Sequence, residues 1–138
     1  MATQQIYHHQ FGTLDIDDQI VLQFPNGLIG FEHLHKFILV NDEDTQPFYW
    51  LVAVEEPETT FPVLPPKIID ESYETSISNG NANTVLAISC LREQIENSYI
   101  NLRSPIIINN KTQPGKQIVL DDERWKFQHP LQSSSTRR

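Results

Sequence analysis

NLRSPIIINNKTQPGKQIVL, residues 101–120, is the stretch that decides the fold. Two short runs rich in β-branched residues, 106–108 and 117–120, flank a connector of Asn, Lys, Thr, Gln, Pro and Gly. Polar turn formers between such runs predict a hairpin with a longer loop. Pro114-Gly115 is its expected bend, because Pro presets φ and Gly tolerates a positive φ. Ile106, Ile107 and Ile108 are apolar without alternation, as a strand covered on both faces requires. That puts them at the centre of a β-structure rather than at its edge.

Working outward, residues 84–91 (TVLAISCL), 48–54 (FYWLVAV) and 37–40 read as further core strands, rich in aromatic and β-branched residues. In residues 11–24, Leu14, Ile16, Ile20, Leu22 and Phe24 recur every second position, which predicts two half-buried strands joined through Asp17-Asp18. Residues 61–64 form a short run that Pro62 and Pro65 confine to an edge or a bulge. In FPNGLIGF, residues 24–31, Pro25 suits the second position of a β-turn with Gly27 at the fourth, and Gly30 permits a second sharp change of direction. One helical turn each is expected over 32–36 and 91–98. Trp125, Phe127, Pro130 and Leu131 form an apolar return strip, and the polar residues 132–138 are expected to be a disordered tail. About eight short strands at roughly ten-residue spacing give the fold class: all-β, a small single domain over residues 1–131, β-barrel-like or a sandwich, with at most short helical turns.

A chain of 138 residues is the usual size of one domain. Its start has neither the basic residues nor the apolar stretch of a secretory signal. No apolar run approaches the roughly 18 residues of a membrane span, so a soluble protein without a membrane partner is expected. Cys90 is the lone cysteine, which rules out an internal disulfide and a cysteine-built metal cage. The net charge of −8 is uneven: residues 1–74 hold 13 acidic and 2 basic side chains, a balance of −11, and residues 75–138 hold 5 and 8, a balance of +3. Such an acidic first half is ill suited to phosphate backbones, whose binding depends on Lys and Arg. It either solubilises a surface or presents a field to a basic protein.

The search for chemistry yields little. His8-His9 and the pair His33 and His35 have no Cys, Asp or Glu at a recurrent ligand spacing, so no metal is expected. Ser89-Cys90 lies in an apolar strand, where a cysteine is usually an inert small hydrophobe. Carboxylate pairs at Asp17-Asp18, Glu55-Glu56, Asp70-Glu71 and Asp121-Asp122 stand beside turn formers, the setting of solvated loop charge rather than of a general acid. Phe48, Tyr49 and Trp50 could stack bases, but their flanking loops are acidic; core packing is the alternative, with Tyr49 facing out on alternation. The chain therefore reads as non-enzymatic and without a cofactor. A single-stranded nucleic-acid-binding barrel and a small hydrolase are the competing readings.

FGTLDI (11–16), FPNGLIGFE (24–32), PFYWLVAVEEP (47–57), NLRSPIIIN (101–109), GKQIVL (115–120) and HPL (129–131), in this order, resemble the FliW family of bacterial flagellar assembly factors. The resemblance implies a small, acidic, non-enzymatic cytoplasmic protein with a β-barrel-like fold. It implies a chaperone-like factor that binds newly made flagellin and, alternatively, CsrA, the RNA-binding translational regulator that represses flagellin synthesis. The two compete, so export of flagellin frees the factor to relieve repression, acting on CsrA away from its RNA-binding edge. Family members commonly carry a longer acidic insertion between the counterparts of Tyr73 and Thr84, where this chain has only a polar link. No contact residue transfers from the resemblance. The candidate partner-binding positions are the acidic and aromatic residues expected to be exposed, Asp42, Glu43, Asp44, Tyr49, Glu55, Glu56, Asp70, Glu71, Tyr73 and Glu74, with the three acidic loops on one side. The free protein is expected to be a monomer.

Overall fold

The β-branched and aromatic runs become strands, and the computed structural model describes residues 3–17, 20–73, 83–109 and 114–131. In chain order these are β1 (Thr3–His8), β2 (Gly12–Asp17), β3 (Leu22–Gln23), β4 (Lys36–Asn41), β5 (Tyr49–Ala53), β6 (Thr60–Leu64), β7 (Asn83–Cys90), β8 (Tyr99–Ile100), β9 (Ile106–Asn109), β10 (Gly115–Gln117) and β11 (His129–Pro130). Three single 3-10 turns, Glu43–Thr45, Pro66–Ile68 and Ile95–Asn97, are the helical content of the described residues.

One antiparallel sheet runs β10-β9-β7-β6-β5-β4-β3, with β8 on β7 and β11 on β8. Its two ends meet at a single bridge, Gln23 to Pro114, so the sheet curls into a barrel-like wall without closing. Alternation along β5 shows how it is covered. Tyr49, Leu51 and Ala53 face the interior, with Phe24, Phe37, Val63, Leu86 and Ile106. Trp50 and Val52 face outward and are covered by Ile6, Phe11, Leu14 and Ile16 of the β1–β2 hairpin. Burying a side chain the size of leucine or valine contributes about 1.5–3 kcal/mol, so both faces of this strand stabilise the wall. A further cluster, Leu64, Tyr73, Ala87, Ile100, Leu102 and Trp125, fills the space beneath β8 and β11.

Residues 106–108 fall in β9, which is not an edge strand but stands second from the β10 end of the sheet, between β7 and β10, and all three isoleucines are buried. Elsewhere the expectations need correction. β1 has little apolar periodicity, and it forms because β2 supplies a partner along all six residues. Residues 32–36 make no helical turn: Leu34 N–H donates to Phe31 O, and the chain then enters β4. β6 is not an edge strand, since it pairs with both β5 and β7. Its pairing with β7 is confined to Val63 and Leu64, so Pro62 sits where that side of the strand has no ladder to lose. Tyr49 packs inward rather than out. Gly115 is needed for space rather than for a bend, because a Cβ there would stand 2.5 Å from the Phe24 ring at the seam. Asp18, Glu74, the polar link before β7, the connector between β9 and β10, and the tail 132–138 lie outside the described residues.

Candidate partner-binding surface

The acidic positions separate into two groups at opposite ends of the β4–β5 hairpin. Asp42, Glu43 and Asp44 follow β4 and precede β5; Glu55 and Glu56 follow β5 at the other end. Five paired positions lie between, from Asn41 with Tyr49 to Phe37 with Ala53. At about 3.3 Å per residue the two groups are some 15 Å apart, so the three loops do not form one acidic patch. Asp70 and Glu71 follow β6, which ends opposite Tyr49, and therefore belong to the Asp42 end.

Several of these carboxylates are engaged locally. Asp42 Oδ1 accepts from Asp44 N–H at 3.1 Å and caps the 3-10 turn. Glu55 Oε1 accepts from His35 N–H at 2.8 Å and Lys36 N–H at 3.2 Å, holding the entry to β4. Glu56 accepts from the Thr59 hydroxyl and lies 3.9 Å from His33 Nε2. Asp70 Oδ1 accepts from the hydroxyl and N–H of Ser72, and these bonds hold its pKa below the usual carboxylate value. Glu43, Asp44 and Glu71 are exposed and have no structural task among the described residues. Tyr73 corrects the expectation of an exposed aromatic: it is buried against Trp125, its hydroxyl donates to Leu102 O at 2.6 Å, and burial pushes its pKa up to about 12. Phe48, Tyr49 and Trp50 each pack against a different cluster, which leaves no shared face for stacking bases.

Near the Glu55 end the wall opens. β7 leaves β6 after Ile88, and a cleft of about 270 Å³ lies between Leu28, Ile29, Phe31 and Phe61 on one side and Ile88 and Phe127 on the other. Gly27 and Gly30, at φ +66° and +88°, throw Ile29 out to 58 % exposure, and Phe127 is 49 % exposed. Glycine is required at Gly27, where a Cβ would stand 2.6 Å from the backbone of Phe31 and Glu32. Gln117 ties the two walls together: its Oε1 accepts from Ile29 N–H at 2.8 Å, and its Nε2 donates to Ser104 O at 3.0 Å. Ser104 is 1 % exposed, and its hydroxyl has no partner among the described residues. Arg103 stacks on Phe127 at 5.3 Å. The sequence search missed these residues because they come from six separate segments. The one local signal is an isoleucine between two turn glycines.

The comparisons with known proteins agree with one another. The family model described as FliW protein matches residues 5–131. Flagellar assembly factor FliW of Thermosipho africanus is 36 % identical over 140 aligned residues, covering 94 % of this chain and 97 % of that one. The same-named protein of Thermotoga sp. strain RQ2 is 32 % identical and covers 96 % of each chain. A crystal structure of the flagellar assembly factor FliW superposes with a TM-score of 0.85 over 95 % of this chain, at 24 % identity, and supports the fold.

Proposed function

The chain belongs to the FliW family of flagellar assembly factors, and from that premise we propose that it binds flagellin and, alternatively, CsrA. It acts in the cytoplasm by switching partners rather than by catalysis, and its capture of CsrA relieves repression of flagellin synthesis. The observation that carries the reading is family membership over residues 5–131. The surface is in keeping with it. Exposed carboxylates at both ends of the β4–β5 hairpin offer a negative field to an RNA-binding protein, whose own RNA contacts require Lys and Arg.

The test is competitive retention with purified components. The immobilised protein is expected to hold flagellin and CsrA singly, and added flagellin is expected to displace CsrA. Retention of neither partner at micromolar concentration would refute the reading. Neutralising Glu43, Asp44 and Glu71 is expected to slow CsrA association by about tenfold at low salt, and higher salt should erase most of the difference.

A further inference from the structure

We infer that the cleft between Ile29 and Phe127 is the seat for flagellin, taking a large apolar side chain of an amphipathic segment whose neighbouring carboxylate meets Arg103. The inference rests on the partner-binding reading above and assigns one of its two partners to a place.

Three independent features of the cleft point to a ligand. Its rim holds Ile29 and Phe127, each about half exposed, on mainly apolar walls into which Asn101, Ser104 and Gln117 bring polar groups. Large apolar side chains held open at the mouth of a cavity are the anchors around which binding energy concentrates. Next, Ser104 lines the cleft, and its buried hydroxyl has no partner among the described residues. A buried hydroxyl without a partner is costly and uncommon in a finished core, and a backbone carbonyl of an inserted segment would satisfy it once the serine side chain turns toward the cleft. Finally, the Gln117 bridge fixes the spacing of the two walls before anything binds, which lowers the ordering cost of association.

Charge selects the occupant. Arg103 Nε donates to Leu120 O and its guanidinium lies over the Phe127 ring; Asp122, which pairs with Arg124 at 3.1 Å, feels the Arg103 charge without forming a direct ion pair with it. A cation at the rim of an apolar cleft favours a segment carrying an acidic residue beside its apolar anchor. It disfavours the basic face of an RNA-binding regulator, which suits the exposed carboxylates instead. The Glu55 end of the acidic surface borders the cleft, whereas Glu43, Asp44 and Glu71 stand at the far end of the hairpin. Phe31 lines the cleft, His33 stacks toward Phe31 at 6.4 Å and reaches Glu56, and Glu55 holds the backbone of His35 and Lys36.

Titration calorimetry of the full chain against purified flagellin and, separately, purified CsrA tests this. The double variant Ile29→Ser, Phe127→Ser is expected to lose about tenfold or more in flagellin affinity while CsrA affinity stays within about twofold. Ser104→Ala removes an unpaired hydroxyl, so its melting temperature should hold or rise while flagellin affinity falls about threefold or more. Should the double variant fail to fold, Ser104→Ala and Arg103→Gln carry the test. Unchanged flagellin affinity in Ser104→Ala and Arg103→Gln overturns the assignment, as does an equal loss for both partners in the double variant. A parent chain that dimerises through this cleft, with dimerisation abolished by the double variant, also overturns it. A parent that binds neither partner brings down the partner-binding reading itself, a different result from a parent that binds and variants that bind equally well.

Discussion

Leu102 and Ser104 stand two residues apart on one turn and face different neighbourhoods. Leu102 is fully buried beside Tyr73 and Trp125; its N–H donates to Lys126 O, and its carbonyl accepts the Tyr73 hydroxyl. Ser104 is equally buried and lines the cleft, yet its hydroxyl has no partner among the described residues. The turn between them is held from within, because Asn101 Oδ1 accepts from the N–H groups of Arg103 and Ser104 at 3.0 and 2.9 Å. One side is a finished core in which every polar atom of Leu102 is satisfied. The other has the same depth and an open mouth. The contrast separates residues that hold the fold from residues available to a partner.

The largest test of that contrast is aromatic truncation on its two sides. Trp125→Ala, on the closed side, is expected to cost about 3–5 kcal/mol. Phe127→Ala, at the open mouth, should cost about 1 kcal/mol, because half of its ring is already in water. Urea unfolding of both variants gives the comparison directly, and equal costs would show that the cleft is part of the core. The next effect belongs to the loop that makes the mouth. Gly27 and Gly30 both have positive φ, but a Cβ at Gly27 meets backbone at 2.6 Å while one at Gly30 meets nothing within 4 Å. Gly30→Ala should therefore carry only the left-handed backbone cost of about 1–2 kcal/mol, and Gly27→Ala about 3 kcal/mol or more. Calorimetric melting that ranks them the other way would mean that the loop relaxes.

Much of the closed side was legible in the chain, and little of the open side was. The run of three isoleucines and the unbroken apolar run 48–54 announce strands covered on both faces, because side-chain direction reverses at every residue. Pro62 misled for a physical reason: proline excludes a ladder bond on one side, and β7 pairs with β6 only beyond that point. Gly115 misled because a glycine read as a bend was required for the approach of Phe24. The separation of the acidic loops follows from which strand ends meet, and chain order alone does not place Asp70 beside the Asp42 end. The cleft depends on the divergence of β6 and β7, for which no residue pattern is a signature. Tyr73 looked like an exposed ring because its chain neighbours are polar, yet its hydroxyl had a carbonyl to reach.

That bond is the next, smaller effect. Tyr73→Phe keeps the ring and leaves Leu102 O without its donor, at a cost of about 1–3 kcal/mol. Since burial raises the folded-state pKa to about 12 from the ordinary 10.0, the unfolded chain loses the phenolic proton first. Stability from this group is complete below pH 10, falls as pH rises from there toward 12, and Tyr73→Phe should remove that alkaline slope. A slope of the same size in the variant would assign it to other groups.

The smallest effect extends the closed side's rule to the outer hairpin. His8 is 1 % exposed; its Nδ1 lies 3.0 Å from Gln10 N–H and 3.2 Å from Phe11 N–H, and its Nε2 lies 2.9 Å from the Thr60 hydroxyl. Two N–H donors aimed at Nδ1 require that nitrogen to be bare, so the proton sits on Nε2 and donates to Thr60, whose hydroxyl donates in turn to Pro57 O at 2.9 Å. A second proton would confront both donors in a site shielded from water and next to His9, and burial, then His9, lower its pKa from the ordinary 6.5. The unfolded chain therefore binds this proton more readily. Stability is complete above pH 6.5 and declines as pH falls from there toward the lowered folded value. Replacing His8 by Asn retains an acceptor near Gln10 and Phe11 without the titrating ring, so His8→Asn should be less stable at pH 7.5 and lose less on acidification. Urea midpoints for parent and variant at pH 7.5 and 5.5 measure this. If the two chains lose the same increment, carboxylates rather than this imidazole govern the acid limb, and His8 holds the hairpin by packing alone.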